Sequence, residues 1–213
     1  MTMNANETIS DQSNQIISIE KLKKTKENLE NNGINVIIVE NGKEAFELLK
    51  QILPSGVEVM TGSSTTLMQI GFMDYYIGNQ HPWVNLGSPI FLEKDPEKQK
   101  VMRRKSVTAE YFVASVNAIT EDGKLVAVDG SGSRVGAYHF GAGNVVLVSG
   151  VNKIVSTLND AFDRIHNIVV PLESARAMKR YGKPASPNKW VIIERETIKD
   201  RITLILVKEE LGF

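Results

Sequence analysis

Between Ile34 and Met60 the sequence runs INVIIVE, then KEAFELLKQIL, then VEVM: a β-branched run, a helical pattern and a second short apolar run. Strand, helix and strand within about thirty residues make a βαβ unit, whose crossover is right-handed and whose two strands are parallel. INVIIVE is apolar on both faces, as a strand is when its sheet is covered on both sides. That unit points to an α/β chain with three layers, α/β/α, around a mainly parallel sheet. The 213 residues are enough for one large core. The expected organisation is a flexible N-terminal tail over 1–15 and a single α/β domain over 16–213.

Chemistry concentrates between Asp122 and Val155. Two apolar runs, LVAV and NVVLVSG, end in glycine with polar residues behind them. Asp129, Gly130, Ser131, Gly132 and Arg134 follow the first run, while Asn152 and Lys153 follow the second. One carboxylate and two cations would thus meet at strand ends, where ligands collect in open α/β sheets. The plainer alternative is a flexible Gly-Ser turn with Arg134 at the end of a surface helix. Upstream, YFVASV closes on Asn117, and the turn Glu121-Asp122-Gly123 leads into LVAV as a hairpin-like connection.

A second candidate is the loop Thr61, Gly62, Ser63, Ser64, Thr65, Thr66, which follows VEVM and opens a helical pattern. A helix start offers free N–H groups to an anion, although serine and threonine are also ordinary caps. The loop has no lysine at P-loop spacing and no three-glycine dinucleotide fingerprint, so nucleoside triphosphates and NAD are poorly supported.

Other features act by exclusion. The chain has 25 basic and 25 acidic residues and no cysteine. No net field draws it to nucleic acid or an anionic membrane, and the runs KLKKTK and Arg103, Arg104, Lys105 read as solvated helix faces. Without cysteine, thiolate nucleophiles and the usual iron–sulfur ligands are absent. No bound metal is expected. The first residues lack an apolar signal core, and no run approaches the ~18 apolar residues of a membrane span, so a cytoplasmic protein is expected. Towards the C-terminus, STLNDAFDRIHNIVVP and PLESARAMKRYG read as two helices, with Arg164 and Arg176 as cations of interest. KWVIIERE and RITLILV read as a hairpin or two adjacent strands.

The segment AITEDGKLVAVDGSGSRVGAYHFGAGNVVLVSGVNKIV resembles the signature of the LUD domain, found in bacterial lactate-utilisation proteins of the C type. VMTGSSTTLMQIG, AEYFVASVNAIT and RITLILVKEELGF agree with it, so the likeness covers most of the chain after residue 56. It implies a fold similar to the ribose-phosphate isomerase and CoA-transferase group, and a role in oxidising L-lactate to pyruvate. Asn117 and Asp122 belong to the resembling motif, and the hydroxyl loop is similar to the phosphate-holding loop of ribose-phosphate isomerases. Longer relatives carry a cysteine-rich insert where this chain has PASPNKW, so any iron–sulfur cluster would sit in a partner protein.

The resulting expectation is a subunit of a lactate-oxidising system with a cleft for a small carboxylate or phosphate. Asp129, Arg134, Asn152, Lys153, Asn117 and Asp122 are its candidate catalytic residues; Thr61–Thr66 and Gly130–Gly132 its candidate binding residues. Two alternatives stay open. One is a self-sufficient isomerase, deaminase or acyl-CoA enzyme acting on a phosphorylated or thioester substrate; the other is a structural subunit, and a homo-oligomer is compatible with any of them.

Overall fold

The computed structural model describes residues 18–213; the tail expected at 1–15 and the helical position Ile16 lie outside the described residues. The first helix, α1 (Ile19–Asn31), is capped by the Ser18 hydroxyl, which accepts from the Lys21 N–H. Then come β1 (Asn35–Val39), α2 (Gly42–Ile52), β2 (Glu58–Thr61), α3 (Thr65–Gln69), α4 (Phe72–Ile77), β3 (Val84–Asn85), α5 (Gly87–Leu92) and α6 (Pro96–Lys105). The middle of the chain holds β4 (Tyr111–Ala114), β5 (Ala118–Thr120), β6 (Leu125–Asp129), α7 (Ser133–Gly136), β7 (Asn144–Gly150) and β8 (Ile154–Val155). It continues with α8 (Leu158–Arg164), α9 (Val170–Tyr181), β9 (Lys189–Ile193) and β10 (Ile202–Val207).

Six strands form one all-parallel sheet in the order β1-β10-β7-β4-β2-β3, with helices on its faces. The strands alternate in what they bury. Ile202, Leu204 and Leu206 of β10, with Val145 and Leu147 of β7, face a core shared with Leu22 and Leu29 of α1. Ile205, Val207, Val146 and Val148 face the opposite core, with Ala45 and Leu49 of α2 and Phe72 of α4. Both faces are therefore paid in apolar residues, which is why these strands read as continuous hydrophobic runs. The βαβ unit is present with one difference: β10, β7 and β4 lie between its two strands.

A second, four-stranded sheet runs β8-β5-β6-β9. LVAV belongs here and not beside NVVLVSG. The β5–β6 hairpin is antiparallel, with Ile119 opposite Leu125, and its Glu121-Asp122-Gly123 turn is as expected. Leu125 and Ala127 face the core of the large sheet, while Val126 and Val128 pack on Ala161, Ile165 and Val169. A central strand covered on both sides is apolar on both sides, whichever way its neighbours run, so the run alone could not assign it to a sheet.

KWVIIERE and RITLILV are not a hairpin. β9 is antiparallel to β6 in the small sheet, and β10 enters the large sheet between β1 and β7. Their burial explains the separation: β9 alternates, as a strand with one open face does, whereas β10 is almost wholly buried. The two expected helices after Thr157 are one rod, because a π-helical turn at Ile165–Val169 joins α8 to α9. Pro171 comes directly after this π-helical turn in the continuous helix, where the backbone ladder is already shifted and the donor that proline lacks is most easily spared. No helix among the described residues is long and apolar enough to cross a membrane.

Arg201 fastens the amino end of β10. It is 4 % exposed, pairs with Glu196 at 2.6 Å, and donates to the carbonyls of Ala137, Tyr138 and Ala142. Removing one partner of such a pair strands the other charge and three carbonyls. Arg201→Ala should therefore lower stability by about 3–5 kcal/mol, measured by urea unfolding; a loss below about 1 kcal/mol would show the network to be dispensable.

Candidate functional site

Four strands of the large sheet deliver their carboxyl ends to one place. β2 runs into Thr61–Thr66, β4 into Ser115–Asn117, β7 into a 3₁₀ turn at Val151–Lys153, and β10 into Lys208–Phe213. Two of these exits are also crossings between the sheets: β4 passes to β5 and β7 to β8, and β5 and β8 then pair in parallel, Ile119 with Ile154. The seam between the two sheets is thus pinned at Asn117 and Lys153.

Lys153 lies in that seam and is 2 % exposed. Its ammonium donates to Ser115 Oγ at 2.9 Å, Thr66 Oγ1 at 3.0 Å and the Val116 carbonyl at 3.1 Å. Three acceptors satisfy its hydrogen bonds, but no ion pair to it exists among the described residues. Burial, then the positive fields of Arg164 and Arg134, push its pKa from 10.5 to about 7.

Arg164, from α8, is 9 % exposed and donates to the Asn117 carbonyl at 2.9 Å and the Asn152 carbonyl at 3.4 Å. Its guanidinium keeps its charge even though burial lowers its pKa. Arg134 donates to the Val128 carbonyl, and its side chain passes within 3.6 Å of where a Cβ on Gly62 would stand. Lys153 and Arg164 are buried with no salt bridge among the described residues, whereas the half-buried Arg134 has Asp129 beside it. Buried cations of the first kind are expensive, and positions that accumulate them are candidates for function. What they favour is an anion.

A family model described as the LUD domain matches residues 22–207. The chain belongs to the LUD-domain family. This LUD domain is also similar to a crystal structure of a DUF162 family protein from Deinococcus radiodurans: 14 % identity, 88 % of this chain and 96 % of that one covered, TM-score 0.48. No curated protein matches.

In this LUD domain the polar residues expected from sequence do not all meet. Lys153 and Thr66 touch each other, and Arg134 reaches the hydroxyl loop at Gly62. Asn117 and Asn152 border the cluster but are occupied in holding backbone: Asn117 Oδ1 accepts from the Val128 N–H at 2.9 Å, and Asn152 Oδ1 from the Leu211 N–H at 3.1 Å. Asp122 is elsewhere. It sits in the turn at the far end of β5, accepting from Thr120 and Lys124, and those bonds hold its carboxyl below the usual range.

Asp129 organises the glycine-serine loop. Burial raises its pKa, but the N–H groups of Arg134, Ser131 and Gly132 and the Arg134 charge outweigh it, so the pKa of the carboxyl lies below its ordinary value. Its oxygens accept from Ser131 N–H at 2.9 Å and Arg134 N–H at 2.8 Å. Lys189 of β9 holds the loop from outside by donating to the Ser131 carbonyl at 2.9 Å, and Asn188 donates to the Gly130 carbonyl at 3.3 Å. Gly132 has φ +96, a left-handed backbone conformation that side-chain-bearing residues rarely adopt, and this conformation favours glycine there. Ser131 and Ser133 present their hydroxyls to Arg103 at 3.2 and 3.5 Å.

The loop after β2 is less open than its composition suggests. Thr61, Ser64 and Thr66 are buried, and Ser64 caps α3 by accepting from the Leu67 N–H at 3.2 Å. Ser63 is exposed, while Gly62 and Thr65 are half-buried. Sequence reading missed Ser115, the shortest contact of Lys153; it is a small residue in an apolar run, and only its position one step past the end of β4 marks it. Arg176 pairs with Glu173 at 2.6 Å on α9. His81 is structural: its Nε2–H donates to the Tyr76 carbonyl at 2.9 Å, its Nδ1 accepts from the Trp83 N–H at 3.2 Å, and its ring stacks on Trp83. No group of three or more metal-ligating side chains occurs among the described residues.

The amine of Lys153 makes the stability of the LUD domain pH-dependent in a defined direction. Its folded pKa, about 7, lies below the unfolded value of 10.5, so the unfolded chain binds the extra proton between them. The cost of burying the charge is full below pH 7 and relieved as pH rises to 10.5. Lys153→Met, which has no charge to bury, should gain on the wild type most at pH 6. That advantage should shrink by a few kcal/mol by pH 10, read from urea unfolding of both proteins across that range; a difference independent of pH would mean the amine titrates normally.

Proposed function

We propose that this LUD domain is the small-carboxylate-binding subunit of a system of the lactate-utilisation C type, which oxidises L-lactate to pyruvate. The observation that carries the anion site is the set of cations at the sheet seam: Lys153 buried with no ion pair among the described residues, and Arg164 and Arg134 near enough to depress its pKa. Arg134 borders the Thr61–Thr66 loop, and Thr66 and Ser115 add hydroxyls that hydrogen-bond a carboxylate or a hydroxyl group. The choice of lactate comes from the family resemblance and not from the geometry.

Removing two electrons from lactate requires an acceptor. The chain has no cysteine to ligate an iron–sulfur cluster and no dinucleotide fingerprint, and the family resemblance implies that the acceptor is an iron–sulfur partner protein. Within the reading proposed here, this subunit holds the hydroxy acid by its carboxylate and keeps water away from it. The arginines and Lys153 supply the positive field, and the hydroxyls fix orientation.

L-lactate, pyruvate or phosphate should raise the melting temperature, since a ligand of the native state stabilises it by mass action. Binding should be stronger at pH 6.5 than at pH 8.5, because above about 7 the Lys153 amine must take up a proton to pair with the anion. Arg134→Ala should weaken binding at least about tenfold, as the loss of one charge-assisted hydrogen bond of about 1.5–3 kcal/mol requires. Calorimetric titration of the wild type and this variant at both pH values measures all three effects. Absence of any stabilisation by these anions at tens of millimolar would remove the site.

A further inference from the structure

The Lys153 amine has an arrangement that anion binding alone does not require. Its nitrogen sits between two side-chain hydroxyls, Ser115 Oγ at 2.9 Å and Thr66 Oγ1 at 3.0 Å, which are themselves 3.3 Å apart. Hydroxyls donate as well as accept, so this ring of three groups can move a proton to or from the nitrogen without solvent. A lysine kept only for its charge is better served by an exposed, freely hydrated position. Burial beside other cations, with hydroxyls in place of carboxylates, is instead the environment that activates a lysine as a nucleophile.

We propose that Lys153 forms a covalent imine with the ketone of a small 2-oxo acid, the oxidised partner of the 2-hydroxy acid. The inference rests on the carboxylate-binding reading above, with the Arg134 and Arg164 side taking the carboxylate and the amine meeting the adjacent carbonyl carbon. The nitrogen lone pair attacks that carbon, and the carbonyl π electrons move to oxygen, which takes a proton from the Ser115–Thr66 pair. The pair recovers that proton from the attacking nitrogen. The carbinolamine hydroxyl then takes a second proton through the pair and leaves as water, the nitrogen lone pair closes the C=N bond, and the last proton of the nitrogen returns to the pair. One amine and one ketone give one imine and one water, with no oxidant or reductant. Around pH 7 the amine is divided between its protonated form and the neutral form that the attack needs.

Access to the nitrogen is governed by the segment after β10. A Cβ built on Gly212 would lie 3.0 Å from Lys153 Nζ and 2.2 Å from Thr66 Oγ1, so the bare glycine backbone covers the pair closely. The segment is fastened there by Leu211 N–H to Asn152 Oδ1 at 3.1 Å and Gly212 N–H to Gln69 Oε1 at 2.6 Å. Two backbone bonds to side chains hold this cover next to the site, and their release uncovers the amine.

The test is reductive trapping with pyruvate as the probe. The full chain is incubated with pyruvate and sodium cyanoborohydride, and the products are read by intact mass and peptide mapping. One reduced adduct per chain on Lys153 is expected, with L-lactate, which has no ketone, giving none. Lys153→Arg should give no adduct, and Ser115→Ala, which keeps the amine, should form it at least about tenfold more slowly, as the loss of a positioned proton donor does. If pyruvate raises the melting temperature yet leaves no adduct on Lys153, the imine is wrong and the carboxylate site stands. If it neither stabilises nor labels the protein, both fail. Labelling spread over other lysines and unchanged in Lys153→Arg overturns the imine.

Discussion

The whole arrangement depends on the insertion of β10 between β1 and β7. β1 pairs with β10, and β10 also pairs with β7 along six residues, so this strand joins β1 to the rest of the sheet. The same insertion carries the following segment across the carboxyl ends of the strands, where Val151 N–H meets the Glu209 carbonyl at 3.2 Å. Sheet closure and the covering of Lys153 are therefore one structural event. The cost of burying an amine is set against packing that both cores need in any case.

The seam between the sheets explains why the polar groups meet where they do. A chain leaving a parallel strand at its carboxyl end normally turns into a helix; here, after β4 and again after β7, it crosses into a second sheet instead. Each crossing leaves backbone carbonyls that no strand satisfies. The Asn117 and Asn152 carbonyls accept from Arg164, and that of Val116 accepts from Lys153. The cations thus have a structural task as well as a chemical one, and a ligand would share them with the backbone.

Legibility in the sequence followed burial. The large sheet was readable because β7 and β10 are covered on both sides and appear as long apolar runs, and because the half-buried β1 keeps the run VIIV. β6 produced the same signal for a different reason, since it is the covered centre of the small sheet, and the run could not say which sheet held it. Lys153 and Arg134 were legible as charged residues just past apolar runs, and Thr66 as part of a hydroxyl loop. Ser115 was hidden inside YFVASV, because serine is small enough to pass for core. Asp122 was drawn in by its place in the family motif, yet a hairpin three residues long sends it to the far end of β5. The role of Asp129 as an acceptor for loop N–H groups is visible only once the Gly-Ser turn has a conformation.

The pairing of β1 with β10 also shapes how the chain folds. Asn35 and Thr203, partners in that pairing, are 168 residues apart in sequence. Closing a loop of that length is entropically unfavourable before the contacts it permits can compensate, so this ladder is expected among the last to form. Until it does, β1 and β7 present bare edges that are apolar on either face, which is the form of strand most prone to pair with another molecule. The strand that completes the site thus also covers the edge of β7 and one edge of β1, leaving only the outer edge of β1 at that end of the folded sheet.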